Sequence, residues 1–287
     1  HPPGQESTAR IGGMNAPSRI HPAATLLGIL IAVATANGGK FQEYDSPHFH
    51  MWSTASQSRT RSAMDAAETL HRRWTAWIGV KESQTHRRHK LRLFSTRDEM
   101  RGSLLGMRWA EAIYHDSICE QYDDRFAVRP WHWLVHEATH QLAHEDSRLH
   151  LPRWANEGLA CLFSTARQNK GNLILGSVDA ETYPVWWLKK TPPTGDFAKD
   201  MRALLVPPSR FLVESDFTDI GPSVNAHYMS WWSFAHFLNK TDSVAWKDWI
   251  LRDATPAGLA MRFGSGPDLD RKWYAHVLTL ADSAKRQ

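Results

Sequence analysis

Trp131-His132-Trp133-Leu134-Val135-His136-Glu137-Ala138-Thr139-His140 is the stretch on which the reading of the whole chain turns. It contains an H-E-x-x-H pattern, His136-Glu137-Ala138-Thr139-His140. On a helix, residues four apart share a face, so both imidazoles reach one ion. Zinc takes such nitrogens tetrahedrally at about 2.0–2.1 Å and, in catalytic sites, keeps one position for water. A glutamate directly after the first histidine lies beside that water, placed to take its proton. With 16 histidines and 12 glutamates in 287 residues, chance placement gives roughly 0.04 such patterns. Pro130 suits a first helical turn, where its missing N–H is no loss. Leu134, Val135, Ala138, Leu142 and Ala143 supply an apolar face at helical spacing. The plain alternative is a buried helix whose histidines bond their neighbours.

A third ligand is required, and two carboxylates compete for the place. Asp146 follows His140 by six residues, and a ligand that near needs a sharp turn, which glycine at the third position after His140 would supply. Ala143 stands there instead, which disfavours Asp146. Glu157 follows His140 by seventeen residues, inside Pro152-Arg153-Trp154-Ala155-Asn156-Glu157-Gly158-Leu159-Ala160. Pro152 breaks the chain and Trp154 to Phe163 reads as a returning helix, which brings Glu157 back over the histidine pair. A charge at a helix N-terminus, favoured by the macrodipole, is its bland reading. His132 and His144 extend the four-residue series, but each step of four advances about 40°, so only the middle pair flanks Glu137 correctly.

Together, H-E-x-x-H and the later Pro152-x-Trp154-x-x-Glu157-Gly158-x-Ala160 resemble the gluzincin metallopeptidases of the peptidase MA-like group. Within that group the chain is most similar to a poorly characterised bacterial family of exported proteins. The resemblance covers residues 129–164. It implies that His136, His140 and Glu157 bind Zn²⁺ and that Glu137 is the general base. Many gluzincins also carry a carboxylate one turn after the glutamate ligand, where this chain has Ala160 and Cys161. The groups behind the histidines, which affect metal affinity strongly, are therefore unassigned, with Asp146 and Asn156 as candidates. Related sequences have a tyrosine-started helix followed by a Ser-Trp pair, matched here by Tyr228-Met229-Ser230-Trp231. A tyrosine hydroxyl can stabilise the oxyanion of hydrolysis. Tyr228 is the candidate and His227 the runner-up, and a core tyrosine is the alternative.

Towards the start, Met14 to Ala36 has a basic n-region, a fourteen-residue apolar run from Ala23 and the A-x-A pattern Ala34-Thr35-Ala36. That is the form of a secretory signal peptide, and it is short of the ~20 residues of a membrane span. Residues 1–36 are thus set apart as an upstream segment plus leader. The expected mature protein, 37–287, is exported to a periplasmic or extracellular space and has no stable membrane span. The net charge of +4 is mild for 287 residues. The clusters Arg72-Arg73 and His86-Arg87-Arg88-His89-Lys90 lack interleaved aromatics, so no nucleic-acid partner is expected. Cys119 and Cys161 could pair in an oxidising compartment if they meet in space, which the sequence does not show.

Strand patterns occur at Pro47–Ser53 and Lys90–Phe94, with a helical stripe from Ser62 to Trp77 between them. Arg125–Arg129 is the nearest candidate for an edge strand that could bind an extended peptide. Asn225–Leu238, Val244–Ala254 and Asp268–Leu280 read as helices, Phe197–Leu205 as a short one, and Gly171–Gly176 as a hairpin arm. The expected fold is α+β and zincin-like. It has a small mixed sheet over the H-E-x-x-H helix in 37–145 and a mainly helical subdomain carrying the glutamate in 146–287. The expected function is an exported zinc metallopeptidase acting on peptide or protein substrates. Its rivals are a non-catalytic zinc-containing binding module and a glycan binder using Trp186-Trp187 and Trp231-Trp232.

Overall fold

The computed structural model describes residues 40–79, 87–103 and 110–287; the leader read at Met14–Ala36 lies outside them. β1 (Gln42–Asp45) pairs antiparallel with β2 (Phe49–Ser53). In β2 Phe49, Met51 and Ser53 are buried and His50 and Trp52 are not, the period-two alternation of a half-buried strand. The helix α1 (Gln57–Ile78) starts five residues before the apolar stripe because Ser56 caps it, accepting from the Arg59 N–H. Gly79, in the left-handed region at φ +78°, ends it. Ala63, Ala67, Leu70 and Trp74 form its buried face.

This helix returns the chain so that β3 (His89–Phe94) runs parallel to β2, with Phe49 beside His89 and Met51 beside Leu91. A short helix α2 (Arg97–Ser103) follows. The hairpin of β4 (Ala112–His115) and β5 (Ile118–Tyr122) then completes a mixed sheet in the order β1-β2-β3-β5-β4. β5 lies parallel to β3, and β1 and β4 are the two edges, β4 being the one beside α3. Sequence patterning did not reveal this hairpin. Its turn is Asp116-Ser117, both at positive φ (47° and 61°); that demands a type I′ turn, for which glycine is the usual signal. The edge expected at Arg125–Arg129 is corrected accordingly: those residues form turns and bends, and β4 is the edge beside α3.

α3 (His132–Glu145) carries the H-E-x-x-H pattern across the sheet, touching α1, β4 and β5. Its cap is Trp131, so Pro130 precedes the helix and is not in its first turn. α4 (Arg153–Ser164) returns along α3. A small hairpin, β6 (Arg167–Asn169) and β7 (Asn172–Ile174), leads to the short helices α5 (Val185–Lys190), α6 (Phe197–Ala203) and α7 (Pro208–Phe211). The chain ends in α8 (Val224–Thr241), α9 (Ser243–Arg252), α10 (Pro256–Phe263) and α11 (Gly266–Lys285). The architecture is α+β, with the sheet on the N-terminal side and a helical C-terminal part.

The helical part is organised around Trp154 of α4, whose ring lies 5.4–6.1 Å from Phe211, Phe234, Trp246 and Trp249. Trp231 and Trp232 are only 2% and 0% exposed, so neither offers a face to a sugar. α4 meets α8 at Gly158, where a Cβ would stand 2.7 Å from the Trp231 carbonyl oxygen. Glycine at this position sets the distance between the two helices. Among the described residues no helix is long and apolar enough to cross a membrane.

Candidate metal centre

Three side chains converge where α4 passes over α3. His136 Nε2 lies 3.2 Å from both His140 Nε2 and Glu157 Oε2, and His140 Nε2 lies 3.6 Å from the same carboxylate oxygen. Bond lengths of about 2.0–2.1 Å in a tetrahedron place donor atoms about 3.3 Å apart. The three separations therefore fit one tetrahedral ion of zinc size without rearrangement. Helical spacing provides the first two donors. The third comes from the fold: the connector 146–152 reverses the chain, Pro152 opens α4, and the Arg153 N–H is held by Asp216 Oδ1 at 2.8 Å.

Behind each imidazole stands a polar group, and for His140 it fixes the tautomer. His140 Nδ1 is 3.2 Å from Asn156 Oδ1. An amide oxygen only accepts, so Nδ1 carries a hydrogen and Nε2 is the nitrogen left to face the centre. His136 Nδ1 lies 3.7 Å from Cys161 Sγ, a thiol that can weakly donate or accept. Of the two candidates for this supporting role Asn156 is in place and Asp146 is not, since its carboxylate turns to His89, 3.0 Å away. The same turn removes Asp146 as a rival third ligand. Cys119 and Cys161 are free thiols. Cys119 faces α3 from the sheet, bonded to Gln141, while Cys161 approaches from α4, so the helix separates them.

The electrostatics favour a cation. Burial opposes charge on His140, but the Glu157 and Glu137 carboxylates outweigh it and raise its pKa to about 9. Burial likewise opposes the Glu157 charge, and His140 and His136 nevertheless hold it well below the usual carboxylate range. Glu137 is anchored differently: its Oε2 accepts the Tyr114 backbone N–H of β4 at 2.9 Å. Glu137 is thereby tied to the sheet edge. Because that N–H points away from β5, the period-two strand turns the Ala112 backbone groups outward too.

A cleft of about 1420 Å³ opens over the three side chains, bordered by β4, Trp133, Tyr183 and Tyr228. The Tyr228 ring centroid is 6.4 Å from that of His136. Burial, then the Glu157, Cys161 and Glu137 charges, push its phenol well above the ordinary value. It is a neutral hydrogen-bond donor. His227 faces elsewhere, bonded to Glu214 Oε2 at 3.2 Å and to Ser223. His132 bonds the Arg129 carbonyl and His144 meets the Tyr114 hydroxyl, so neither joins the centre.

Sequence reasoning missed Tyr183. It lies tilted between Trp133 and Tyr228 (centroids 5.3 and 5.7 Å) and donates to Asn225 Oδ1. It sits in an irregular segment where no periodic signal could have singled it out.

Residues 133–259 match a family described as protein of unknown function DUF1570. The matched stretch begins in α3 and ends in α10, so it takes in His136, Glu137, His140, Glu157 and Tyr228 and leaves out the sheet. A comparison with curated proteins gives no match. What the DUF1570 segment holds in this chain is a grouping of two histidines and a glutamate able to bind a metal ion.

Proposed function

We propose that the protein is an exported zinc metallopeptidase of the gluzincin type, with a zincin-like sheet over its H-E-x-x-H helix. The observation that carries the reading is the triangle of donor atoms at 3.2, 3.2 and 3.6 Å, with Glu137 on the same helix beside it. His136, His140 and Glu157 would hold Zn²⁺, which when bound acts as a Lewis acid and makes water acidic enough to deprotonate near neutral pH.

The chain's own groups carry the remaining work. Glu137, fixed by the Tyr114 amide, accepts the proton of the attacking water and later gives it to the leaving amine. Tyr228, held neutral, donates its O–H to the developing oxyanion. The cleft supports a peptide as the substrate class. Its volume of about 1420 Å³ exceeds the roughly 300–1,000 Å³ of small-molecule pockets, and the free edge β4 along one wall can align an extended peptide by backbone pairing.

Cleavage of unstructured proteins by the zinc-loaded chain, followed by mass spectrometry, tests the reading. Wild type should yield defined fragments that disappear on chelation and return with zinc, and Glu137→Gln should bind zinc yet cleave nothing. Equal cleavage by Glu137→Gln would overturn the mechanism. Absence of cleavage by fully loaded wild type would favour the non-catalytic module.

A further inference from the structure

A second cluster of metal-binding side chains lies at the other end of α3, about 9 Å along its axis from His140. His71 of α1, His89 of β3 and Asp146, the residue that caps α3, offer donor atoms all within 4.8 Å of one another. His89 Nε2 is 3.0 Å from Asp146 Oδ1, and His71 Nε2 is 4.0 Å from Asp146 Oδ2. Those two separations bracket the ~3.3 Å between donors of a tetrahedral zinc ion, and no pair of the three donors is more than 4.8 Å apart. We propose that His71, His89 and Asp146 form a second, structural site for a divalent transition-metal ion of the zinc class.

Three further features of the cluster point to an ion. The first is the support of His89. Its Nδ1 lies 2.9 Å from Glu145 Oε2, and Glu145 is itself held by Gln141 Nε2 and the Tyr114 hydroxyl. A carboxylate on the far nitrogen is the arrangement that orients metal-binding histidines. The second is His71. Its side chain is nine-tenths buried, makes no hydrogen bond among the described residues, and is aimed at Asp146. One face is covered by the His48 ring at 3.7 Å, so the ring is fixed in plane with its nitrogen presented to the cluster. The third is charge. Glu68, bonded to His48, and Glu145 and Asp146 bring three carboxylates together, and among the described residues no lysine or arginine pairs with any of them. His89, bonded to Glu145 and Asp146 through its two ring nitrogens, offsets one of these charges at most, and the negative charge that remains favours a divalent cation. Two imidazoles and one carboxylate suit zinc or cobalt, whereas calcium and magnesium prefer oxygen alone.

The ion would tie α1 and β3 to the end of α3, where the chain departs for α4 and Glu157. Its role is therefore in the stability of the scaffold, and it does not depend on the hydrolytic reading. Native mass spectrometry of the full chain, reconstituted with zinc and then exchanged into metal-free buffer, counts the ions. Wild type is expected to hold two zinc ions, and His140→Ala, His71→Ala and the gentler Asp146→Asn one each. Glu145→Gln should keep both, with affinity at one site lowered about 10- to 100-fold. Zinc should also raise the Tm of His140→Ala, which keeps the second site. A single zinc in wild type that is lost in His140→Ala and kept in both His71→Ala and Asp146→Asn would overturn the proposal. A single zinc with the reverse pattern would uphold it and sink the centre at His136 and His140.

Discussion

Replacing Gly158 by alanine adds one methyl group at the contact that sets the geometry of the proposed catalytic site. The new Cβ would lie 2.7 Å from the Trp231 carbonyl oxygen and 3.1 Å from Ala235 Cβ on α8. Favourable contacts of carbon begin at about 3.5 Å, so α4 and α8 must part by roughly 0.5–0.8 Å, and the obstacle is backbone that cannot swing aside. Overpacking of this kind costs about 1–3 kcal/mol. The helix gains back up to about 1 kcal/mol from losing a glycine. The net loss is about 1–2 kcal/mol, a fall in Tm of roughly 3–6 °C for a domain of this size. Glu157 is the preceding residue on α4, and Tyr228 lies one turn before Trp231 on α8. The same displacement therefore opens the gap between ligand and oxyanion donor. Since a misplacement of 1 Å can cost about 100-fold in rate, a fall in kcat of about tenfold is expected. Differential scanning calorimetry and peptide cleavage on Gly158→Ala measure both. A variant as stable as wild type with full kcat would refute the claim that glycine is required for close approach.

Three further outcomes follow from the same geometry. Tyr228→Phe should lower kcat about 10²-fold with little change in KM, the loss typical of one oxyanion donor; an unchanged kcat would return Tyr228 to the core. Asn156→Ala removes the acceptor behind His140 Nδ1 and should weaken zinc binding about 10- to 100-fold in a competition titration, with Tm little altered once zinc is saturating. The third concerns pH. His236 Nε2 donates to the Gly176 carbonyl and its Nδ1 accepts from His276 Nε2, and both rings face Lys240. Burial holds His236 down to about 3 and His276 to about 4. Both values lie below the unfolded pKa near 6.5. The unfolded chain thus takes up protons first, and stability present above pH 6.5 is lost as pH falls towards 4, by up to about 1.4 kcal/mol per unit for each ring. Urea midpoints that do not fall between pH 6.5 and 4.5, or that fall equally in His236→Gln, would contradict this.

Much of the centre was legible because local rules governed it. Helical spacing alone put His136 and His140 on one face with Glu137 beside them, and Pro152 marked the break from which α4 returns with Glu157. The long helices α1, α8, α9 and α11 announced themselves by apolar stripes, with ends displaced by caps such as Ser56. What the sequence hid depends on contacts between distant segments. The β4–β5 hairpin turns on Asp116-Ser117 without a glycine, so the edge that holds Glu137 was placed instead at Arg125–Arg129. Cys161 and Asn156 could be paired with their histidines only once the crossing of α3 and α4 was known. His71, His89 and Asp146 come from three elements, and no spacing rule joins them.

The central claim is that His136, His140 and Glu157 hold one zinc ion beside Glu137. X-ray absorption at the zinc edge tests it most directly on the His71→Ala chain, where the second site is removed. The account predicts one zinc per chain with nitrogen and oxygen neighbours at about 2.0–2.1 Å, two of them imidazole, and its loss on adding His140→Ala. Absence of bound zinc after reconstitution, or a sulfur neighbour at about 2.3 Å that would place Cys161 on the metal, would contradict it.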